Sequence, residues 1–229
     1  MINSISSASE YRPKSFNDMI GQDAIVKTLN NAIKNDNIPQ ALLFCGPRGV
    51  GKTSCARILA KTINNLEDDF EYNIFELDAA SNNSVEDIRN ITDQIRIPPQ
   101  TGRYKVYIID EVHMLSNQAF NAFLKSLEEP PEHVVFILAT TEKNKILPTI
   151  LSRCQIYDFK KVDNESIIRL LSKICKEKKV KFEDGSLSLI AERSDGSIRD
   201  SLSIFDRLVS FTDSNLTISE VTSNLNVLD

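Results

Sequence analysis

The sequence predicts an α/β fold: a parallel β-sheet flanked by helices and followed by a small helical domain. Short apolar runs alternate with segments of helical periodicity as far as Phe159, which is typical of a sheet whose strands are buried on both faces. Beyond residue 161 only helical patterns follow. The length of 229 residues fits one full-sized domain and one small domain, at roughly 150 residues per domain.

The predicted sheet has five strands, each a short run that is mostly apolar. The runs are Ala41–Cys45, Ile74–Asp78, Lys105–Asp110, Val134–Thr140 and residues 155–159. Between them, apolar residues recur at helical spacing, as in Ile25, Leu29 and Ile33, and Ser116 stands at an expected helix N-cap. Strands and helices therefore alternate as a parallel sheet requires.

Three helical patterns predict the second domain: Asn164–Lys178, residues 184–194 and residues 197–209. Polar turns that contain glycine separate them. Thr217, three residues before Glu220, predicts a further capped helix. We therefore expect a first domain over residues 1–161, a three-helix domain over 162–214, and the start of a truncated C-terminal helical element over 215–229.

Composition excludes several classes of protein. Hydrophobic residues make up 41% of the chain and charged residues 26%, values of a globular rather than a disordered, collagen-like or coiled-coil protein. The longest apolar run, residues 134–139, is far shorter than the roughly 20 residues that cross a bilayer. The first ten residues are polar and carry no basic residue, unlike a signal or transit peptide. We expect a cytoplasmic protein with no membrane partner.

Charge and cysteine usage narrow the function further. The 27 Lys and Arg against 32 Asp and Glu give a net charge of -5, so no overall basic field attracts nucleic acid. Any DNA contact must come from a local patch or from partner subunits. The four cysteines are scattered, which argues against a disulfide framework and a four-thiolate zinc site. His113 and His133 lack metal-ligand spacing and are interpreted as local hydrogen-bond partners.

A motif of the form G-x-x-x-x-G-K-T follows the first predicted strand and precedes a helical segment, the context that a phosphate-binding P-loop requires. Its glycines let backbone N–H groups surround phosphates, and the following helix adds a favourable dipole. We expect Lys52 to reach the β- and γ-phosphates and Thr53 to give an oxygen to Mg²⁺. The candidate nucleotide-binding residues are Gly46, Pro47, Arg48, Gly49, Val50, Gly51, Lys52, Thr53 and Ser54.

Two carboxylates and two hydroxyls end neighbouring strands. Asp110 and Glu111 close an apolar run, and ligand groups collect at the carboxyl ends of parallel strands. Asp110 is therefore the expected Mg²⁺ partner, and Glu111 the base that orients the attacking water. Thr140 and Thr141 end the next strand, where a hydroxyl would bridge the water and the γ-phosphate. The alternative is that these are solvated polar groups at strand ends.

Several short motifs occur in a fixed order along the chain. Besides the P-loop they are YRPKSF at 11–16, IGQ at 20–22, ELDAAS at 76–81, DEVHML at 110–115, LSRC at 151–154 and GSIRD at 196–200. The set resembles the AAA+ clamp-loader ATPases, and among them the gamma/tau branch of bacterial DNA polymerase III. The resemblance covers about residues 11–208, and it implies an AAA+ P-loop domain followed by a three-helix lid domain.

The resemblance also implies a function. It implies an ATP-hydrolysing subunit that sits with other clamp-loader subunits in a hetero-oligomeric ring and uses ATP and Mg²⁺ to load the sliding clamp on primed DNA. It implies that Arg153 is an arginine finger for the adjacent subunit, that Arg199 contacts nucleotide in its own chain, and that Thr141 is the sensor on the fourth strand. The residues that fall in the family's adenine pocket are Tyr11, Arg12, Ile20, Gly21 and Gln22.

The sequence departs from the family in two places. The segment 63–71 is short, acidic and free of cysteine, whereas gamma/tau proteins usually have a four-cysteine zinc module at this place. We therefore expect no structural zinc. Asn82 stands where many relatives have a basic residue that touches DNA. Arg89, Arg96 and Arg103 are candidates for a local basic strip or for plain solvated charges. The apolar segment 97–99 is a candidate contact for the sliding clamp, or a turn packed on its own domain.

Two other functions stay open. A non-hydrolysing scaffold subunit would use the fold as an interaction module, but the intact Lys52, Thr53, Asp110 and Glu111 argue against it. A P-loop kinase would need an acceptor site, whereas the motifs at 151–154 and 196–200 are typical of a ring ATPase.

Overall fold

The computed structural model describes residues 6–65, 73–82, 84–99, 102–212 and 214–225. Its centre is a sheet of the strands β1 (Ala41–Cys45), β2 (Ile74–Asp78), β3 (Lys105–Asp110), β4 (Val134–Thr140) and β5 (Gln155–Asp158). The strand order is β2-β3-β4-β1-β5, and every neighbouring pair is parallel. The predicted five-stranded parallel sheet is confirmed, with its last strand ending at Asp158 rather than Phe159.

Helices α2 (Asp23–Lys34) and α3 (Lys52–Asn64) cover one face of this sheet, and α4 (Val85–Ile95), α5 (Asn117–Glu128) and α6 (Pro148–Leu151) cover the other. The remaining helices are α1 (Ser7–Glu10), α7 (Asn164–Lys178), α8 (Asp184–Arg193), α9 (Ile198–Phe211) and α10 (Ile218–Leu225). Successive residues of β1 enter opposite cores. Leu42 and Phe44 pack with α2 and α3, while Leu43 packs with α4, α5 and α6. Burial on both faces explains why the predicted strands are apolar runs.

A third core lies among α7, α8 and α9, which confirms the predicted three-helix domain. Two-residue strands β6 (Lys181–Phe182) and β7 (Asn215–Leu216) pair beside it, too short to leave a periodic signal in the sequence. Val221 of α10 is buried in the same core, and α1 packs on α9, where the Ser7 N–H donates to Asp206 at 2.7 Å. The limits 1–161, 162–214 and 215–229 stay a prediction.

Two contacts fix the segment that connects β5 to α7. The amide of the buried Gln22 donates to the Lys160 carbonyl at 2.8 Å and accepts from the Lys160 N–H at 3.2 Å, just after β5. The Gly196 carbonyl accepts from the Val162 N–H at 3.0 Å. Gly196 has φ +80°, and an added Cβ would lie 2.6 Å from the Cβ of Lys161. Only glycine permits so close a crossing of the two segments.

Local signals at helix ends were predicted correctly. The Ser116 side chain accepts from the Ala119 N–H at 3.2 Å and caps α5. The Thr217 side chain accepts from the Glu220 N–H at 3.3 Å, at the start of α10. Within the described ranges, no helix is both long enough and apolar enough to span a bilayer.

The buried side chain of Asn64, at the end of α3, fastens the loop before β3. Its Oδ1 accepts from the N–H groups of Arg103 at 3.0 Å and Tyr104 at 2.7 Å. We expect Asn64→Ala to lower the free energy of unfolding by about 1–3 kcal/mol, because two donors lose their acceptor. Urea unfolding followed by circular dichroism measures the loss. Asn31→Ala, on the exposed face of α2, is the matched control and should change stability by less than about 0.5 kcal/mol. Equal losses in the two variants would contradict this role for Asn64.

Candidate nucleotide-binding site

The P-loop connects the carboxyl end of β1 to α3, as the sequence predicts. Its first glycine, Gly46, donates its N–H to the Thr140 carbonyl at 3.2 Å, which ties the loop to the end of β4. Gly46 has φ +147°, and an added Cβ would stand 2.4 Å from the Phe159 carbonyl oxygen. The motif therefore needs glycine here because the chain after β5 passes directly against it.

Lys52 is the first residue of α3, and its side chain folds back against the loop. Its ammonium is buried and donates to the carbonyls of Gly46 and Pro47, each at 2.7 Å. Burial lowers the pKa of Lys52, and the charges of Glu111 and Asp110 oppose that shift. The structure thus places a cation where the loop would surround phosphate groups.

The two residues predicted to hold Mg²⁺ touch each other. The Thr53 hydroxyl donates to Oδ2 of Asp110 at 2.6 Å, across the gap between α3 and the end of β3. A hydroxyl and a carboxylate are hard oxygen ligands of the kind that Mg²⁺ takes, and Mg²⁺ is usually completed by phosphate oxygens and waters. This donor pair therefore fits a magnesium ion bound together with a nucleotide.

Glu111 is held by the end of the neighbouring strand. Its Oε2 accepts from the Thr141 N–H at 3.1 Å and from the Thr141 hydroxyl at 3.0 Å. Glu111 has φ +46°, a left-handed conformation that turns its side chain out of the line of β3, and its N–H donates to Oδ1 of Asp110 at 3.0 Å. The structure thus brings together three of the predicted site residues at the ends of β3 and β4.

His113 lies beneath this pair and is almost fully buried. Its Nδ1 is 3.0 Å from Oγ1 of Thr140 and 3.4 Å from Oε2 of Glu111, and its Nε2 is 3.2 Å from Oε1 of Glu142. The interpretation of His113 as a local hydrogen-bond partner is confirmed. Its place beside Glu111 was not predicted, because it depends on the 3₁₀ turn Val112–Met114 that folds His113 back toward β4.

The N-terminus of α9 sits on the P-loop. The Arg199 N–H donates to the Gly49 carbonyl at 3.4 Å, and an added Cβ on Gly49 would lie 2.1 Å from Oγ of Ser197. Arg199, the residue expected to contact nucleotide from the lid, is therefore brought to the loop.

A second cation reaches the P-loop helix from the N-terminal segment. The Arg12 Nε–H donates to Oγ of Ser54 at 3.2 Å. Partial desolvation lowers the pKa of Arg12, and the nearby positive charges of Arg57 and Arg199 add to that effect. Arg57 is itself bound by Glu76 through two hydrogen bonds of 2.6 Å. Sequence reasoning missed Arg57, although its place four residues after Thr53 puts it on the same helix face.

The other residues predicted for the adenine pocket lie where the N-terminal segment meets the helical domain. Tyr11 and Ile20 pack on the third core. The ring of Tyr11 lies 5.3 Å from Nζ of Lys178, and burial together with a hydrogen bond to Glu177 raises the pKa of Tyr11 to about 12. Gly21, with φ +71°, would place an added Cβ 3.2 Å from the side chain of Val162. Their role toward adenine stays a prediction.

Arg153 is not brought to this site. It lies in the turn between α6 and β5, before the amino end of the strand, whereas the P-loop follows the carboxyl end of β1. Leu42 is paired with Gln155, four positions before Gly46, and Arg153 precedes Gln155 in the turn before β5. Four positions correspond to roughly 13 Å along the sheet. An arginine side chain does not reach across that distance to its own P-loop.

Other predicted contacts have a mixed outcome. Ile97 is 60% exposed, and Arg89 and Arg96 are exposed on and just after α4. Arg103 forms an ion pair with Asp36, which occupies its guanidinium. No group of three or more His, Cys, Asp or Glu side chains that could hold a metal occurs within the described part of the chain. The expected absence of zinc stays a prediction, since residues 66–72 of the segment concerned lie outside the described ranges.

Comparisons with known proteins agree with this geometry. A family model described as DNA polymerase III, delta subunit, matches residues 21–74 and 70–163, and one described as DNA polymerase III clamp loader subunit, ATPase lid domain, matches residues 166–214. DNA polymerase III subunit tau of Bacillus subtilis is 46% identical over 92% of this chain, and subunit tau of Escherichia coli is 42% identical over 97%. The chain spans 40% and 37% of the length of these two relatives.

The fold has close counterparts among solved structures. RuvB of Thermotoga maritima, a Holliday junction branch migration motor, superposes with a TM-score of 0.76 over 95% of this chain and 73% of that chain, at 22% sequence identity. A point variant of the same RuvB superposes with a TM-score of 0.77 over the same shares of the two chains. At this identity the likeness shows the fold alone, and it confirms the α/β class with its sheet and helical domain. From the matches to the family models and to the tau and gamma proteins, this chain belongs to the AAA+ clamp-loader family of bacterial DNA polymerase III, in its gamma/tau branch.

Proposed function

We propose that this chain is the ATP-binding and ATP-hydrolysing part of a clamp-loader subunit. The observation that carries the proposal is the convergence of Lys52, the Thr53–Asp110 pair and the Glu111–Thr141 pair at one edge of the sheet. Its relatives are named as DNA polymerase III subunits, which supports a place in a hetero-oligomeric ring with other clamp-loader subunits. In that ring it loads the sliding clamp on primed DNA, in the cytoplasm.

The P-loop residues bind the triphosphate of ATP. Backbone N–H groups of the loop and the ammonium of Lys52 receive the β- and γ-phosphates, and Arg199 approaches from α9. Thr53 and Asp110 would hold Mg²⁺, which when bound neutralises charge on the phosphate oxygens. Arg12, next to Ser54, adds a cation to the same pocket.

Glu111 acts on the attacking water. Its carboxylate orients the water and accepts its proton as the water oxygen bonds to the γ-phosphorus and the bond to the bridging oxygen of ADP breaks. Thr141 keeps Oε2 of Glu111 in place through two hydrogen bonds, so that the other oxygen faces the water. Thr141 is therefore a positioning residue for the base.

The rival functions are less well supported. A non-hydrolysing scaffold would not need the Thr53 hydroxyl and the Asp110 carboxylate, 2.6 Å apart, placed together as candidate Mg²⁺ ligands beside Glu111. A kinase completes its site within one chain. In this chain Arg153 lies at the amino ends of the strands, whereas the P-loop lies at their carboxyl ends. A ring arrangement gives Arg153 the nucleotide of a neighbour.

Lys52→Ala and Glu111→Gln should separate binding from hydrolysis. We expect Lys52→Ala to lose most ATP affinity, since the buried cation opposite the phosphates is gone. Glu111→Gln should bind ATP with near-normal affinity and turn it over at least about 100-fold more slowly, because the amide accepts no proton. Calorimetric titration with ATP and a phosphate-release assay measure the two quantities. Normal turnover in Glu111→Gln together with tight binding in Lys52→Ala would overturn the site assignment.

Thr141→Val tests the hold on Glu111. The variant keeps the backbone N–H but loses the hydroxyl contact, so we expect kcat to fall roughly 10-fold while ATP affinity stays unchanged. Thr28→Val, which removes an exposed hydroxyl from α2, is the matched control and should keep full turnover. If both variants retain the same kcat, the Thr141 hydroxyl has no role in positioning the base.

Turnover per chain should rise with chain concentration. An arginine supplied by a neighbour contributes about 10³ to 10⁵ in rate, so encounter between chains limits activity at low concentration. We expect Arg153→Ala to abolish the rise, and Arg169→Ala, an exposed arginine on α7, to preserve it. Phosphate release over a dilution series measures this. Specific activity that is independent of concentration would instead indicate a site complete within one chain.

A further inference from the structure

The guanidinium of Arg153 is held by its own chain at the edge of the sheet. Nη1 donates to the Thr149 carbonyl at 2.6 Å, with a longer contact of 3.4 Å to Oγ of Ser152, and Nη2 donates to Oε1 of Glu128 at 2.7 Å. A guanidinium has five N–H donors in one rigid plane. Anchors on both terminal nitrogens fix that plane and leave further N–H groups for another ligand.

Glu128 has no evident stabilising role of its own. It is the last residue of α5, where the helix dipole disfavours a carboxylate. The Arg153 and Glu128 side chains are 34% and 47% exposed, and ion pairs this exposed contribute little to stability. Among the described residues, the ion pair of Glu128 is with Arg153. The pair joins the end of α5 to the turn after α6, so it orients an arginine rather than supporting a helix.

We infer that Glu128 is a positioning residue, which holds the guanidinium of Arg153 so that its free edge faces the nucleotide of an adjacent subunit. The inference rests on the proposed function, because it takes Arg153 to act on a neighbour's ATP. An unanchored arginine must lose its rotamer freedom when it meets the phosphate, whereas an anchored arginine has lost it already. Loss of the carboxylate should therefore slow the neighbour's turnover and leave ATP binding by the same chain unchanged.

Two variants assembled in one ring separate the donor of the arginine from the site that receives it. A Lys52→Ala chain supplies Arg153 but no working nucleotide site, and an Arg153→Ala chain supplies the site but no arginine. We expect Glu128→Ala in the donor to lower turnover of the mixture about 10-fold, and the same change in the acceptor to leave turnover unchanged. Glu128→Gln in the donor keeps an oxygen acceptor and should restore most of the rate. Glu129→Ala in the donor is the adjacent exposed control and should have no effect.

The outcomes distinguish the inference from the function beneath it. If Glu128→Ala in the donor leaves turnover of the mixture unchanged, the inference is overturned and the proposed function still stands. A mixture no more active than either variant alone would overturn the role of Arg153 in trans, and the inference with it. A second measurement needs no turnover. Solvent exchange of the Arg153 Nη2 protons, followed by NMR in the isolated chain, should quicken in Glu128→Ala but not in Glu129→Ala. An unchanged exchange rate in Glu128→Ala would contradict the role of Glu128 in holding the guanidinium.

Discussion

The position of β1 between β4 and β5 is the constraint on which the site depends. Because the three strands are parallel, the carboxyl ends of β1 and β4 lie side by side, and β3 ends next to β4. Lys52, Asp110 and Thr141 are far apart in the sequence and meet only through this order. The register is fixed by burial: all five residues of β1 are buried, with alternate side chains in different cores. A slip of one residue would move each side chain to the wrong core, so the cores that stabilise the fold also align the site.

The P-loop is surrounded by positive charge, although the chain as a whole is negative. The net charge is -5, yet Lys52, Arg12 and Arg199 converge on the P-loop from three different segments. Arg57 lies near them but is neutralised by Glu76. The helical domain contributes to this concentration of positive charge because Gly49 and Gly196 allow backbone segments to approach closely. Positive charge is thus concentrated locally at the P-loop, and the docking of the helical domain contributes to it.

The sequence was sufficient for the features that local spacing determines. The P-loop, Asp110 and Glu111 were predictable because a motif marks each strand end and parallel topology brings the strand ends together. The hydrogen bonds from Thr141 to Glu111 were not predictable, since they require the register of β3 against β4 and a left-handed backbone conformation at Glu111. The ion pair of Arg153 with Glu128 depends likewise on how α5 packs on α6. Contacts between elements distant in sequence leave no periodic or motif signal.

The groups around the P-loop are bound to one another and still retain capacity for a ligand. In the described contacts, Lys52 uses two of the three N–H donors of its ammonium, which leaves one for a phosphate oxygen. Thr53 donates its proton to Asp110 and keeps oxygen lone pairs for a cation. Glu111 binds Thr141 through Oε2 alone, which leaves Oε1 for water. Each group therefore keeps its position before the nucleotide arrives. Because the order is already present in the fold, the proposed binding of ATP would have little side-chain freedom left to remove.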